Sequence, residues 1–341
     1  MNTEKQNNFT IVRVMLATLV MLGHFKILAG SPTPFLFSFA DLAVEAFFVV
    51  SGFLVAGSFD RMPVLVPFYL KRFFRIYPLY FFVVVAQALA MLAFFSNELG
   101  EIAISALRYL GVNLIFANFL QHDIGGLLAN SPNPGINPSL WTLKVEVGFY
   151  LIVPFVHRLV KRFGWSVLGV IFFASTIYFL HYRSVNAELA KQLPGQLRFF
   201  VVGMAFFYYG RKLQLSRKVG WAAFLLCLSP LMFKNLGLSA VLHPLAVGFV
   251  VFFATMRLPP IQFKSDISFG IYLIHGPVIQ LLILSGYYVD SWFCLLAVCA
   301  FVVLLACLAD HLIERPGIKI GARLVRKLKP ANPARHIGEN V

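Results

Sequence analysis

What constrains this chain most is how far its apolar runs extend before a charge interrupts them. Eleven stretches approach the roughly 20 apolar residues that a helix needs to cross a bilayer. They lie near 10–30, 40–58, 77–97, 104–121, 141–158, 165–182, 197–210, 219–234, 238–256, 268–286 and 291–313. Hydrophobic residues make up 59% of the 341, and charged ones 13%. A soluble domain of this length could not hide so much apolar surface, so lipid is the expected solvent for most of it. No long polar linker divides the chain, which reads as one membrane unit over 1–314 followed by a basic tail over 315–341. The first apolar run carries Arg13, His24 and Lys26 and has no small-residue cleavage site, so no removable targeting segment is expected.

A net charge of +15 would point to nucleic acid in a soluble protein. Here the basic residues fall in short connections, as the positive-inside rule expects, and no nucleic-acid partner is inferred. Five segments hold most of the 29 lysines and arginines: Arg61 to Arg75, Arg158 to Arg162, Arg211 to Lys218, Arg257 to Lys264, and the tail from Arg315. The connections 97–103 and 122–139 carry Glu98, Glu101 and Asp123 instead. If all five basic segments face the cytoplasm, only one full crossing, 141–158, fits between 97–103 and Arg158. The segment 104–121, with Arg108, Asn113 and Asn118, then dips into the outer face or lies along it. The expected fold is an all-α polytopic membrane protein. It has about ten transmembrane helices plus one partial or interfacial segment, and both termini are cytoplasmic. Cys227, Cys294, Cys299 and Cys307 sit in apolar runs without metal-ligand spacing and read as packing residues, so no metal is expected.

A charge inside the bilayer costs roughly 2.5–3.5 kcal/mol on insertion scales, so each is a functional candidate. Arg13 and His24 stand eleven residues apart on the first helix. At about 100° per residue they share a face, about 16 Å apart along the axis. Histidine is the side chain best poised to move a proton near neutral pH. On the second helix Asp41 and Glu45 share a face, and Ser51-Gly52 allow close helix approach. Glu45 is a candidate partner for Arg13 or for a basic residue on a neighbouring helix. Lys71-Arg72-Phe-Phe-Arg75-Ile-Tyr-Pro78 reads either as a basic anchor or as an arginine fork for phosphate. Trp141 suits the outer interface, and Glu146 lies about a turn and a half below it, at a depth like that of His24. A histidine and a carboxylate at matched depth could serve as a base and its orienting partner. Ser268, Tyr272 and His275 form one polar stripe on an apolar helix, lining a channel or bonding its neighbours. Glu314-Arg315 at the membrane edge reads as structural.

Taken together, these pieces resemble acyltransferase family 3, the bacterial membrane O-acyltransferases of surface polysaccharides. The similarity is carried by Arg13-x10-His24, Val44-Glu45-Ala-Phe-Phe-Val-Val-Ser51-Gly52-Phe53 and Arg72-Phe-Phe-Arg75-Ile-Tyr-Pro78. It continues in Trp141-x4-Glu146-x2-Phe149-Tyr150, Ser268-x3-Tyr272-x2-His275 and Glu314-x-Pro316. Each piece is weak alone, but six in order span residues 13–316. The resemblance implies an enzyme of the bacterial inner membrane that takes an acyl group from cytoplasmic acyl-CoA, usually acetyl-CoA. The acceptor would be a hydroxyl of an extracytoplasmic glycan, free or lipid-linked, such as an exopolysaccharide or O-antigen. It makes His24 the catalytic histidine with Arg13 as its partner, and gives Arg72 and Arg75 a part in donor handling. From the placement of the residues themselves, Arg13 is also expected to help hold the donor, Glu146 to assist His24, and Glu45, Trp141, Ser268, Tyr272 and His275 to line the substrate channel. Ala43 stands where glycine is common in the family. A chain ending at 341 resembles the stand-alone members without an esterase-like domain. The same motifs would also suit a lipid or small-molecule acceptor such as a macrolide. From the residues alone a glycolipid transporter remains an alternative, although no inverted repeat is visible. Direct transfer and an acyl-enzyme are both open.

Overall fold

The structure is a computed structural model, and it describes residues 7–94, 99–210, 218, 222–225, 237–261 and 265–328. Helices dominate, and no strand occurs among the described residues. They are α1 (Phe9–Ile27), α2 (Ala40–Arg61), α3 (Leu65–Phe94), α4 (Leu99–Asn113), α5 (Leu140–Phe163), α6 (Ser166–Tyr182), the single turn α7 (Ala187–Ala190), α8 (Leu193–Tyr209), α9 (Gly237–Met256), α10 (Ser268–Leu284) and α11 (Trp292–Ala309). A π turn, Asp310–Glu314, joins α11 without a break to α12 (Arg315–Lys327). Most of the expected helix over 219–234, most of the basic segment 211–218, Cys227 and the tail beyond 328 lie outside the described residues.

Five of these helices are long and apolar enough to cross a membrane: α1, α2, α3, α9 and the continuous α11–α12. Helices α6 and α10 are apolar but have 17 residues each, about 26 Å of rise against a hydrocarbon core of about 30 Å. Large side chains such as Phe82, Leu89, Val170, Ile177, Phe293 and Leu296 are exposed on the helix surfaces. In water such a surface would aggregate; lipid is its natural cover.

Several expected boundaries differ from the structure: α5 runs on to Phe163 through Arg158 to Arg162, and helix continues past 313 to Lys327 into the expected tail. Helix α3 begins at Leu65 rather than near 77, so Lys71, Arg72 and Arg75 are helical rather than part of a connection. Thirty residues rise about 45 Å, more than a bilayer core, so the helix carries its basic turns outside or into protein. The segment expected near 104–121 is a helix only to Asn113. Irregular chain then runs to Ser139, with Phe116 left-handed at φ 62°.

Helix α2 is the hub, packing on α1, α5, α8 and α9. Its crossing with α8 is backbone on backbone. A Cβ on Gly52 would lie 2.0 Å from the Phe200 carbonyl oxygen, and one on Gly203 would lie 2.0 Å from that of Val49. Only glycine fits both positions, and the close approach increases van der Waals contact between helices that lipid does nothing to push together. Helix α1 packs on α2 and α10, so the first and tenth helices become neighbours. The start of the chain is tied to the end of α9: the Asn8 amide donates to the carbonyls of Ala254, Leu258 and Pro259, and its oxygen accepts from the Ile261 N–H. The irregular stretch 114–139 lies along α10. Gln280 donates to the carbonyls of Asn133 (3.0 Å) and Gly135 (2.9 Å), and Asn137 to that of Leu273 (2.9 Å). Gly276, next to His275, leaves room for Pro138 and Asn137.

Candidate active site

A cavity of about 100 Å³ opens between α1, α2, α3, α5 and α10. Its wall is apolar on α2, where Val44, Phe47, Phe48 and Leu54 face it. The polar lining is Arg13, Arg72, Arg75, Ser51, Thr142, Glu146, Tyr150, Ser268 and Tyr272. Three arginines and one carboxylate line it beside a largely apolar wall.

Two of the arginines are already compensated. Arg13 pairs with Asp266, in the connection before α10. Arg75 reaches the same carboxylate at 3.3 Å and Glu314 at 2.9 Å. The Ser268 hydroxyl donates to the other Asp266 oxygen at 2.5 Å. Burial works against the Asp266 charge, yet Arg13 and Arg75 hold its carboxyl below the ordinary carboxylate range. Glu314 is 1% exposed, and the π turn carries it toward Arg75. A π turn inserts one extra residue, so the polar face before it can differ from the face after it.

Arg72 differs. Its guanidinium donates to the Ser58 hydroxyl at 3.1 Å and lies over the Tyr150 ring at 5.7 Å. Among the described residues it meets no carboxylate, and its Nε is buried without a partner. Glu146 is engaged by the Tyr150 hydroxyl, four residues on.

Away from the arginines the lining leads to histidine. The Thr142 and Tyr272 hydroxyls are 2.8 Å apart, and the Tyr272 ring centre is 6.1 Å from that of His275. His275 Nε2 lies 2.7 Å from His24 Nδ1. His275 is wholly enclosed, while His24 keeps part of its surface open. Neither histidine lines the cavity itself; His275 stands one side chain beyond Tyr272, and His24 lies beyond His275.

The structure therefore brings Arg13, Arg72, Arg75, Glu146, Ser268 and Tyr272 around one space, with His24 and His275 beside it. The neighbour of His24 is His275 rather than the expected Glu146. Glu45 does not line the cavity; it meets His243 Nε2 on α9 at 2.7 Å, the expected alternative of a basic residue on a neighbouring helix rather than Arg13. Trp141 packs edge-on against Phe48, 6.5 Å between ring centres. Sequence reasoning missed Asp266 as the shared partner of two arginines, and it missed His243 and the buried Arg198. The last two are ionisable groups inside apolar runs, and the rule that singled out Arg13 and His24 could have found them.

Comparison with known proteins places these residues in context. The model of the acyltransferase 3 family, described as "Acyltransferase domain", matches residues 6–311. "Nodulation protein 10" of Rhizobium leguminosarum bv. viciae is 28% identical, over 94% of this chain and 96% of its own length. An "O-acetyl transferase" of Shigella phage Sf6 is 24% identical, over 82% of this chain and 86% of its own. No solved structure matches.

Proposed function

The chain belongs to acyltransferase family 3 and is a membrane acyltransferase, and from that premise we propose that it moves an acetyl group from cytoplasmic acetyl-CoA to a hydroxyl of an extracytoplasmic glycan. The observation that carries this reading is a single cavity with arginines along one side and, beyond Tyr272, the His24–His275 pair. The name of the phage relative favours acetyl as the group transferred. The reading includes about ten crossing helices, both termini in the cytoplasm, and a bacterial inner membrane around them.

Arg72 supports a phosphate-bearing donor, since its charge has no carboxylate partner among the described residues. Arg75 and Arg13 are held beside it by Asp266 and Glu314. The apolar α2 wall suits the pantetheine arm, which carries the thioester toward His24. There His24 takes the proton of the acceptor hydroxyl. The oxygen attacks the thioester carbonyl, the C–S bond breaks, and the leaving thiolate takes the proton back from His24. Acyl ester and free CoA thiol are the products, and protons balance. The connection 114–139, packed on α10 beside His275, is the proposed contact surface for the acceptor.

The test is release of free CoA thiol from acetyl-CoA by the purified protein in lipid nanodiscs. The acceptor is supplied as an extract of undecaprenyl-linked and surface glycans. The reading expects release that needs both the extract and His24. Equal release by the wild type and His24→Ala would overturn the catalytic assignment.

A further inference from the structure

The two histidines are linked by hydrogen bonds whose direction can be worked out atom by atom. His275 Nδ1 lies 2.9 Å from the carbonyl oxygen of Ile271, one helical turn earlier. A carbonyl only accepts, so Nδ1 carries a proton. A neutral imidazole has one N–H, which leaves Nε2 of His275 with a lone pair. That lone pair faces His24 Nδ1 at 2.7 Å, so His24 Nδ1 must be the donor. The neutral His24 ring then has its own lone pair at Nε2.

The opposite direction would need a doubly protonated His275. It is 0% exposed, with the buried apolar residues Ile271 and Ile279 one turn before and after it on its own helix face. A cation enclosed there without a counter-ion is costly, and no carboxylate among the described residues forms an ion pair with it.

We propose that His275 is a positioning residue that fixes His24 as the Nδ1–H tautomer and so presents His24 Nε2 as the proton-accepting atom. This rests on the reading of His24 as the base. When Nε2 takes a proton from the acceptor, the Nδ1–H···Nε2 bond to His275 becomes charge-assisted and stabilises the imidazolium as it forms. The backbone carbonyl of Ile271 does for His275 what His275 does for His24. A buried carboxylate commonly has this second role for a catalytic histidine; here a neutral ring has it, which spares the apolar surroundings a second charge.

The measurement is nitrogen-15 NMR of histidine-labelled protein in nanodiscs, with the His24 signals assigned by their loss in His24→Asn. The wild type is expected to show His24 protonated at Nδ1 and bare at Nε2. His275→Gln, which keeps an acceptor oxygen near the position of Nε2, retains that tautomer and turnover within a few-fold. His275→Leu releases the tautomer and lowers kcat by about 10²-fold, the lower range for a positioned acid–base group, with the donor KM unchanged. A wild-type His24 protonated at Nε2 would overturn the proposal, as would full kcat in His275→Leu. The wild-type spectrum needs neither activity nor a folded His275 variant, only a folded His24→Asn for its assignment. If His24→Ala turned over normally, the base reading alone would fall, and the tautomer would still be decided.

Discussion

Two arginines one helical turn apart, Arg72 and Arg75, have opposite relations to their surroundings. Arg75 is spent on the fold: it neutralises Glu314, which is 1% exposed. Removing one partner of a buried pair strands the other, at a cost of about 3–5 kcal/mol. Arg75→Ala is therefore expected to lower the thermal midpoint sharply, with Glu314→Gln in the same background restoring most of it. Arg72 has no such debt. Arg72→Gln should leave the midpoint nearly unchanged and raise the donor KM about tenfold, the equivalent of one charge-assisted bond. Equal KM in wild type and Arg72→Gln would remove Arg72 from donor binding. The motif spacing made both residues legible as a pair on one helix face, but not the difference between them. That difference comes from Asp266 and Glu314, each some 190 or more residues away in the chain. The same holds for His24. Its shared face with Arg13 follows from helical arithmetic, whereas its neighbour His275 is 251 residues distant.

Helices met expectation where apolar runs ended at turn-forming residues, as for α1, α6, α9 and α10, and departed from it where charge lay inside a helix. Lys71, Arg72 and Arg75 look like a connection when basic residues are assumed to lie between spans, yet they lie within the first three turns of α3. The π turn before Arg315 left no trace in the sequence pattern, because one inserted residue does not disturb the apolar composition around it. The α2–α8 crossing was half legible: Ser51-Gly52 announced a small-residue contact, and Gly203 on the opposing helix went unnoticed. That crossing yields a test. Gly203→Ala places a Cβ 2.0 Å from the Val49 carbonyl oxygen, which only movement of a whole helix could relieve. Loss of monodisperse protein on size exclusion is expected. Gly169→Ala in α6, with nothing within 4 Å of the added carbon, is expected to be neutral or to add up to about 1 kcal/mol. If both variants behaved alike, contact at the crossing would not be what Gly203 provides.

For the molecule as a whole, Asp266 ties α1, α3 and α10 together through Arg13, Arg75 and Ser268. Its carboxyl is held below the ordinary range, so its contribution to stability is fully present above the unfolded value of about 3.9. That contribution is lost as pH falls through the lower folded value. Thermal midpoints in nanodiscs should therefore decline below about pH 4. Asp266→Asn should start lower and decline less; a variant with the wild-type profile would show that the carboxylate is not the link. One further consequence follows from α1 lying against α10. A ribosome adding about 5–20 residues each second needs roughly 10–50 s to pass from His24 to His275. For all that time the first helix waits in the membrane with its arginine and histidine unmatched. A chain cut short anywhere before α10 would hold one ring of the pair and not the other, so the His24–His275 contact can form only after α10 has been made.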